Sequence, residues 1–365
     1  MESHYLENLK PGDIVLDSLP DDVVASMESR DRWMANLRYA EGGLEFLVAD
    51  LQSWTPGQVV HIAFLGGSPE LYRAIEEATR PISETANLVL DFRQRDAYRT
   101  WSEQDTQYSA EIRVSFDRSG YFSLVGTDSI DAHIGLPQLP VGGAPHQRSL
   151  NLGGFNVSRP DGWEGTTRHE FLHALGVHHE HQNMRGPCQA AFRWEDDLGY
   201  QPTRDERGGY IADDNGLRPG IYTYLSGYPN GWSRTRVDAN LRTPDDSRAL
   251  VSGPFDPSSV MLYRFPALFY RTQPSPCAPP GDGQQLSDGD KRGLRLLYPH
   301  GAPELSAIGE RRQVLLDAIA GPEDPEDEEG GLESARAQLP GIARDTAARL
   351  RASVAELRRQ VAARP

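Results

Sequence analysis

Residues 169–179 constrain the fold and the chemistry of this chain more than any other segment, and their sequence is HEFLHALGVHH. On a helix, His169 and His173 lie four residues apart on one face, so their imidazole nitrogens can bind the same ion. Gly176 allows the chain to leave the helix, and the turn that follows returns His179 as a third nitrogen ligand. Three protein ligands leave a fourth position for water, which is typical of a catalytic zinc site.

Glu170 stands next to the first of these histidines and is suited to act as a general base on metal-activated water. The alternative interpretation is that histidines cluster by chance on an ordinary surface helix, and the fixed spacing argues against it. His178 and His181 flank the third ligand, but only His179 has the six-residue step from His173. The string therefore predicts one catalytic Zn²⁺ ion and the hydrolysis of peptide bonds.

The helix that carries these residues is predicted to span about 162–176. Asp161 precedes it in the manner of an N-cap, and the acid Glu164 follows three residues later. The apolar side chains expected to pack against the core are Phe171, Leu172 and Leu175.

A second motif lies at residues 256–263, where the sequence DPSSVMLY combines turn residues with a methionine in an apolar stretch. Alone, Met261 would be interpreted as an ordinary core residue. Together with the extended histidine string, the segment resembles the Met-turn of the metzincins. In that clan the methionine forms a hydrophobic floor under the zinc site and does not bind the metal.

Two further residues, Glu180 after the third histidine and Tyr263 after the methionine, resemble the astacin family. Matrixins would place serine at the first position and adamalysins aspartate, and serralysins usually bring calcium-binding repeats, which this sequence lacks. The segments that carry the resemblance, which covers roughly residues 55–300, are HEHQ at 179–182, SVMLY at 259–263, LSDGD at 286–290 and LYP at 297–299.

The resemblance implies a role for each matching position. Glu170 would take a proton from the metal-activated water and pass it to the leaving amine. Tyr263 would ligate the metal in the resting enzyme and then hydrogen-bond the oxyanion, although a half-buried core tyrosine is the alternative. Glu180 would support the site from outside the ligand set and pair with the new amino terminus after maturation. The implied zinc ligands are His169, His173 and His179.

The implied fold is a two-lobed α+β metzincin. Its N-terminal lobe would hold a mixed sheet and the active-site helix, its C-terminal lobe would be rich in loops and carry the Met-turn, and a helical tail would follow. Residues 55–300 are the predicted catalytic domain. Period-two alternation and a helical pattern predict strands at 58–65, 87–92, 110–116 and 149–155 and a helix at 69–80.

One of these strands has two interpretations. In related enzymes an edge strand binds the extended substrate by strand addition, and Leu150, Asn151 and Leu152 are predicted to form it. The alternative is a simple structural strand that ends in a glycine bulge.

The N-terminal segment, residues 1–54, is a candidate prosegment. Its sequence KPGDI at 10–14 resembles the prosegment motif in which astacins present an aspartate to the zinc, so Asp13 is a candidate latency switch. The match lacks the aromatic residue that usually opens the motif, and Pro-Gly-Asp also forms ordinary turns.

Composition limits the partners of the chain. A net charge of −16 argues against a nucleic-acid groove, and no apolar run approaches the roughly 18 residues that span a bilayer. The expected partner is a protein or peptide substrate. The resemblance implies secretion, yet residues 1–5 show no secretory signal. Cys188 and Cys277 could form one disulfide or stay as thiols.

The composition changes after Pro299. Residues 301–331 are predicted to form a helix and an acidic linker, and residues 332–365 an amphipathic helical tail. The tail could bind a partner, self-associate or pack back on the catalytic domain. The residues that define its apolar face are Thr346, Leu350, Val354, Leu357 and Val361.

A function of another class is a latent or catalytically silent zinc-binding module that acts through partner binding. Glu170 argues against it, since a pseudoenzyme has no need of a general base.

Overall fold

The computed structural model describes residues 19–40, 47–243, 253–320 and 341–364. Asp13 and the acidic stretch at 322–331 lie outside the described residues. In chain order, the helices are α1 (Asp21–Ala40), α2 (Leu47–Gln52), α3 (Pro69–Thr85), α4 (Trp163–Ala174), α5 (Cys188–Ala191), α6 (Ile221–Ser226), α7 (Arg234–Leu241), α8 (Asp288–Leu297), α9 (Ala302–Ala320) and α10 (Gly341–Ala362). The strands are β1 (Val59–Leu65), β2 (Val89–Asp91), β3 (Arg93–Gln94), β4 (Ala97–Tyr98), β5 (Ile112–Ser115), β6 (Tyr121–Ser123), β7 (Leu150–Leu152), β8 (Thr203–Arg204) and β9 (Tyr210–Ile211).

A five-stranded mixed sheet forms the centre of the fold, with strand order β2-β1-β5-β7-β6. The first four strands are parallel to their neighbours, and β6 alone runs antiparallel to β7. The parallel strands are short and apolar, as expected for strands that are covered on both faces. This arrangement confirms the predicted α+β class with a mixed sheet.

The prediction that Leu150, Asn151 and Leu152 form the edge strand is wrong. These three residues make up β7, which pairs with β5 on one side and with β6 on the other. All three are buried, because β6 folds back over β7 and takes the outer position. Residues Leu150–Leu152 therefore form an inner strand of the sheet, as the structural alternative has it, and the edge strand on this side is Tyr121–Ser123.

Helix α3 runs further than the sequence predicted. Its pattern suggested an end near residue 80, but the helix continues through Pro81 to Thr85. The Thr85 hydroxyl donates to the carbonyl of Pro81 at 2.8 Å, and Ile82 is fully buried in the core. Burial of Ile82 against the sheet offsets the backbone hydrogen bond that proline cannot donate.

Two hydrophobic clusters organise the rest of the catalytic region. The larger one joins the sheet, α3, α4 and α8, and it includes Val260 and Met261. The smaller one gathers residues between Cys188 and Cys277, a region that was expected to be mainly loops. Short helices form there because aromatic side chains such as Phe192 and Phe269 find a common core.

A disulfide between Cys188 and Cys277 ties this smaller cluster together. The two residues are 89 positions apart in the sequence, and both side chains are buried. The bridge resolves the choice that the sequence left open between a bonded pair and two thiols.

The C-terminal tail packs on the catalytic region. Thr346, Leu350, Val354 and Leu357 are buried, as predicted for the apolar face, and Leu357 lies in a cluster with Leu305 and Ile308 of α9. Gln360 donates to the carbonyl of Pro56 at 2.8 Å. The predicted self-association through this helix finds no support in the described part of the chain, because its apolar face is already covered by α9.

At the other end of the chain, α1 packs against the sheet side of the molecule. Val23 lies in a cluster with Phe122 and Leu124, and Arg30 forms a buried ion pair with Asp128. None of the described helices is both long enough and apolar enough to cross a membrane.

Candidate active site

Helix α4 carries the first two histidines, and its start depends on a distant residue. Its N-cap is Gly162, which has a left-handed φ of 78° and makes no side-chain capping bond. The predicted capping role of Asp161 is therefore wrong. Instead, the side chain of Gln284 accepts a hydrogen bond from the amide of Gly165 at 3.0 Å, so the chain segment before α8 satisfies a donor that the sequence assigned to a local acid.

The end of α4 is fixed by two aromatic residues from other parts of the chain. Trp54 Nε1 donates to the carbonyl of Ala174 at 2.8 Å, and the Tyr298 hydroxyl donates to the carbonyl of Leu175 at 2.6 Å. Gly176 then adopts a φ of 86°, a region that favours glycine. The turn returns the chain to the helix at His179, as the sequence predicted.

His169, His173 and His179 are brought together as one buried cluster, with nitrogen atoms within 4.8 Å of one another. The Nε2 atom of His173 lies 3.2 Å from that of His169 and 2.9 Å from that of His179. All three side chains are less than a tenth exposed.

The protonation of two of these rings follows from their partners. His169 Nδ1 lies 2.9 Å from the carbonyl oxygen of Val260, and His173 Nδ1 lies 2.7 Å from that of Val177. A carbonyl oxygen only accepts, so both Nδ1 atoms carry hydrogen, and in the neutral ring the Nε2 atom then presents a lone pair.

These observations fit a zinc ion. Nitrogen lone pairs that face each other repel unless a cation lies between them. Two nitrogen ligands of one tetrahedral zinc lie about 3.3 Å apart when the metal–nitrogen distances are about 2.0–2.1 Å, close to the 3.2 Å between His169 and His173. The carbonyl bonds at Nδ1 are the outer contacts that orient histidine ligands of metals.

Glu170 lies on α4 between the first two histidines and is almost completely buried. The pKa of Tyr121, in the outer strand of the sheet, is raised above its ordinary value. Burial is the main cause, and the negative charge of the Glu170 carboxylate raises this pKa further. Tyr121 belongs to β6, which packs against α4. The general-base candidate is therefore close enough to β6 for its charge to act on a side chain of that strand.

Tyr263 lies beside the histidine cluster. Its ring stacks on His169 with a centroid distance of 5.0 Å, and it contacts the rings of His179 and His181 at 4.6 and 5.1 Å. His181 is buried and donates from Nε2 to the carbonyl of Asn240 at 2.8 Å. His181 therefore connects the loop of His179 to α7. Its ring also stacks on the ring of Tyr263.

The segment 256–262, which we call the 256–262 turn, is joined to the histidine cluster through two of its backbone carbonyls. The Met261 carbonyl accepts from the amide of Glu180 at 3.0 Å, and the Val260 carbonyl accepts from His169. Met261 is 1% exposed in the larger core cluster. The turn thus bonds both to the ligand helix and to the loop that carries His179.

Glu180 lines a cavity of about 440 Å³, together with His179 and other residues of its own loop, Leu172 of α4, the 256–262 turn, α8 and Ala49. Its carboxylate accepts from the amide of Asp256 at 2.7 Å and from Asn183 at 2.9 Å. Burial raises the pKa of Glu180 to about 7, despite the opposing effect of these two hydrogen bonds.

Sequence reasoning missed several residues that shape this site. Gln284 and Trp54 act at the two ends of α4, and Asp290 bonds to the 256–262 turn. Asp290 belongs to the LSDGD segment, so a capping-box pattern was visible there, but its contact with a turn 30 residues earlier was not. Trp54 and Gln284 lie in segments that carry no local signal of this kind.

Comparison with known proteins adds a structural similarity. No protein-family model and no curated protein sequence matches the chain. A structure of myroilysin aligns with 68% of this chain and 97% of its own, at 26% identity and a TM-score of 0.47, and a crystal structure of myroilysin with 68% and 86%, at 23% identity and a TM-score of 0.40. High choriolytic enzyme 1, a hatching enzyme zinc-protease from Oryzias latipes (Medaka fish), aligns with 68% of this chain and 94% of its own, at 16% identity and a TM-score of 0.37.

Through the HEFLHALGVHH string and its buried three-histidine cluster, the chain resembles the astacin-type zinc metallopeptidases.

Proposed function

We propose that this chain is a zinc-dependent endopeptidase of the astacin type. The observation that carries the proposal is the convergence of the Nε2 atoms of His169, His173 and His179, with two of the rings held at Nδ1 by backbone carbonyls. Glu170 accompanies them on the same helix. Among the described residues, three histidines can bind the ion, which is the number of protein ligands found in catalytic zinc sites, whereas structural sites have four.

Glu170 and Tyr263 then each have a role in hydrolysis. Zinc, when bound, would polarise the peptide carbonyl and make water acidic enough to attack it near neutral pH. Glu170 accepts the proton of the attacking water and delivers it to the leaving amine as the C–N bond breaks. Tyr263 donates a hydrogen bond to the oxygen that becomes negatively charged.

We assign the remaining parts of the fold by the same resemblance. The 256–262 turn would correspond to the Met-turn, and the two hydrophobic clusters to the two lobes. An extended peptide can add only to a sheet edge. This favours β6, which lies next to α4, as the strand along which the substrate binds.

We also propose that the N-terminal segment restrains the enzyme before activation. Val23 and the buried pair of Arg30 with Asp128 support this idea, since they fasten α1 to the sheet side of the molecule. Asp21 of the same helix lies 4.0 Å from Arg236 of α7, so α1 also reaches the region of the smaller cluster. Asp13 remains the proposed ligand that would replace the catalytic water.

The choice of truncation follows from the packing of α2. Asp50 pairs with Arg311 of α9 at 2.7 Å, and Trp54 holds the end of α4. A variant that lacks residues 1–46 removes α1 and Asp13 but retains these contacts. Such a variant, and Asp13→Asn in the full chain, should both cleave peptides faster than the unaltered protein if the segment is inhibitory.

The disulfide supports an oxidising compartment for the mature protein, in agreement with secretion.

The decisive experiment measures cleavage of a denatured protein mixture, with new termini identified by mass spectrometry. Unaltered chain, the form lacking residues 1–46, and Glu170→Gln are compared, and the zinc content of each is determined. Glu170→Gln should retain zinc and lose about 10²- to 10⁴-fold in kcat. Folded, zinc-loaded protein that cleaves nothing in either form with an intact Glu170 would contradict the proposal.

A further inference from the structure

Asp290, in the first turn of α8, makes more hydrogen bonds than a helix cap requires. With Ser287 it forms a capping box, in which its carboxylate accepts from the Ser287 amide at 2.8 Å and its own amide donates to the Ser287 hydroxyl at 2.9 Å. The same carboxylate also accepts from the Ser259 hydroxyl at 2.6 Å and from the Val260 amide at 3.0 Å. The last two bonds reach the 256–262 turn and contribute nothing to capping.

These contacts continue without a break to a histidine of the cluster. The Ser259 hydroxyl, which donates to Asp290, accepts from the amide of Met261 at 3.0 Å. That amide belongs to the same peptide group as the Val260 carbonyl, which accepts from His169 Nδ1 at 2.9 Å. Carboxylate, hydroxyl, peptide group and imidazole thus form one hydrogen-bonded chain.

We propose that Asp290 and Ser259 are positioning residues that orient His169 and strengthen its Nε2 atom as a metal ligand. The proposal rests on the proposed function in that it assumes His169 to bind zinc. In each of these hydrogen bonds the donor lies on the His169 side and the acceptor on the Asp290 side, so each bond polarises the next in the same direction. The peptide carbonyl becomes a better acceptor, and the imidazole that donates to it becomes a better donor of electrons through Nε2.

The burial of Ser259, Met261 and His169 strengthens the effect of these hydrogen bonds on His169. Ser259 is 2% exposed, Met261 1% and His169 6%, so water competes little for these bonds and their electrostatic strength is high. Fixing the Val260 peptide also fixes the ring orientation of His169, since the ring has one carbonyl to which its Nδ1 donates. Outer contacts of this kind typically contribute 10- to 100-fold to metal affinity or activity.

The test is the dissociation constant for zinc, measured by competition with a chromophoric chelator on the full chain. We expect about 10- to 100-fold weaker zinc binding in Asp290→Asn and in Ser259→Ala. Ser259→Thr retains the hydroxyl and should recover most of the affinity that Ser259→Ala loses. Asp288→Asn removes a charge of the same sign from an exposed position in the same helical turn, and it should bind zinc within twofold of the unaltered chain.

The double variant Asp290→Asn, Ser259→Ala distinguishes action through this one series of hydrogen bonds, which we call the relay, from two independent effects on zinc affinity. If both residues act through one series of hydrogen bonds, the double variant should bind zinc as tightly as the single variant with the lower zinc affinity. If their effects are independent, the two losses in zinc affinity multiply. If Asp290→Asn fails to fold because its helix cap is lost, Ser259→Ala and Ser259→Thr decide the question alone. Zinc affinity within twofold of the unaltered chain in Ser259→Ala overturns the relay, and so does a fully multiplicative double variant.

Zinc affinity is measured without substrate, so the two proposals can fail separately. Normal zinc binding with the expected losses in the variants, but no peptide cleavage, would support the relay and contradict the peptidase. Peptide cleavage by a protein whose zinc affinity ignores Asp290 and Ser259 would do the reverse. An unaltered chain that binds no zinc would overturn both.

Discussion

At the scale of single residues, the partner of each ring nitrogen decides what a histidine does. His179 and His181 are two positions apart and stack on each other at 4.8 Å. His179 Nε2 faces the other ligand nitrogens, whereas His181 Nε2 donates to the carbonyl of Asn240. One imidazole is thereby available to a metal, and the other, which shares its residue type, is used to attach the loop to α7.

Tyr263 supplies a prediction at this scale. Tyr263→Phe keeps the ring stacked on His169 and in contact with His179 but removes the hydroxyl that would stabilise the oxyanion. We expect kcat to fall by roughly 10²-fold, corresponding to about 3 kcal/mol of transition-state stabilisation, with KM and zinc content little changed. Steady-state kinetics on a peptide identified by the cleavage experiment measures this. An unchanged kcat would assign Tyr263 to packing alone.

At the scale of elements, the zinc helix is held by segments that are far away in the sequence. Its first turn depends on Gln284, and its last carbonyls on Trp54 and Tyr298. Burial strongly raises the pKa of Tyr298, so its hydroxyl remains a hydrogen-bond donor at any physiological pH. Arg312 of α9 completes the arrangement, because its guanidinium donates to the carbonyls of Ser53 and Trp54.

Arg312→Met tests whether α9 is part of the catalytic domain. Loss of the guanidinium leaves two buried carbonyls without this donor, and we expect the free energy of unfolding to fall by about 2–4 kcal/mol. Urea denaturation at equilibrium measures the change. Arg358→Met on α10 is the matched control, since Arg358 is exposed and such surface changes usually stay within about 0.5 kcal/mol. Equal stability of the two variants would show that the hydrogen bonds of Arg312 to Ser53 and Trp54 contribute little to stability.

At the scale of the whole molecule, a covalent link adds to the two hydrophobic cores, and the proposed zinc site would add a further contribution to stability. The Cys188–Cys277 bridge closes a loop of about ninety residues around the smaller cluster. The three histidines come from a helix and a turn whose relative position is set by the larger cluster. The disulfide stabilises the folded chain relative to the unfolded one, and zinc bound at the proposed site would do the same.

The disulfide provides the first whole-molecule prediction. The double variant Cys188→Ser, Cys277→Ser should lose about 3–5 kcal/mol of unfolding free energy, because its unfolded chain regains the entropy that the closed loop removes. Urea denaturation without reductant compares it with the unaltered chain. Addition of a reductant should destabilise the unaltered chain and leave the double variant unaffected, and a loss below about 1 kcal/mol would contradict the expectation.

Zinc provides the second. A ligand that binds only the folded state stabilises it by about 2.7 kcal/mol when its free concentration is 100 times its dissociation constant. Chelation should therefore lower the Tm of the unaltered chain and abolish cleavage, and added zinc should restore both. The Tm of a His173→Ala variant should respond far less to either treatment, and identical responses would argue against binding at this cluster.

Much of the fold could be predicted from local pattern. The strands β1, β2 and β5 and the helices α3, α4 and α10 lie where periodicity indicated them, because alternation and helical spacing are properties of a few adjacent side chains. The edge strand could not be predicted, since its position depends on which strand β6 pairs with, and no local pattern encodes that. Pro81 within α3 and Gly162 at the start of α4 contradicted local rules because burial and Gln284 compensate for them.

The amino-acid sequence by itself predicted that His169, His173 and His179 come together beside Glu170, because four- and six-residue spacings fix geometry within one helix and one turn. Only the tertiary structure decided how these groups are oriented and supported. The carbonyl of Val260, the ring of Tyr263 and the carboxylate of Asp290 reach the site from segments about 90 to 120 residues away. Such contacts arise only when distant segments share a core, and periodicity or spacing within a segment carries no record of them.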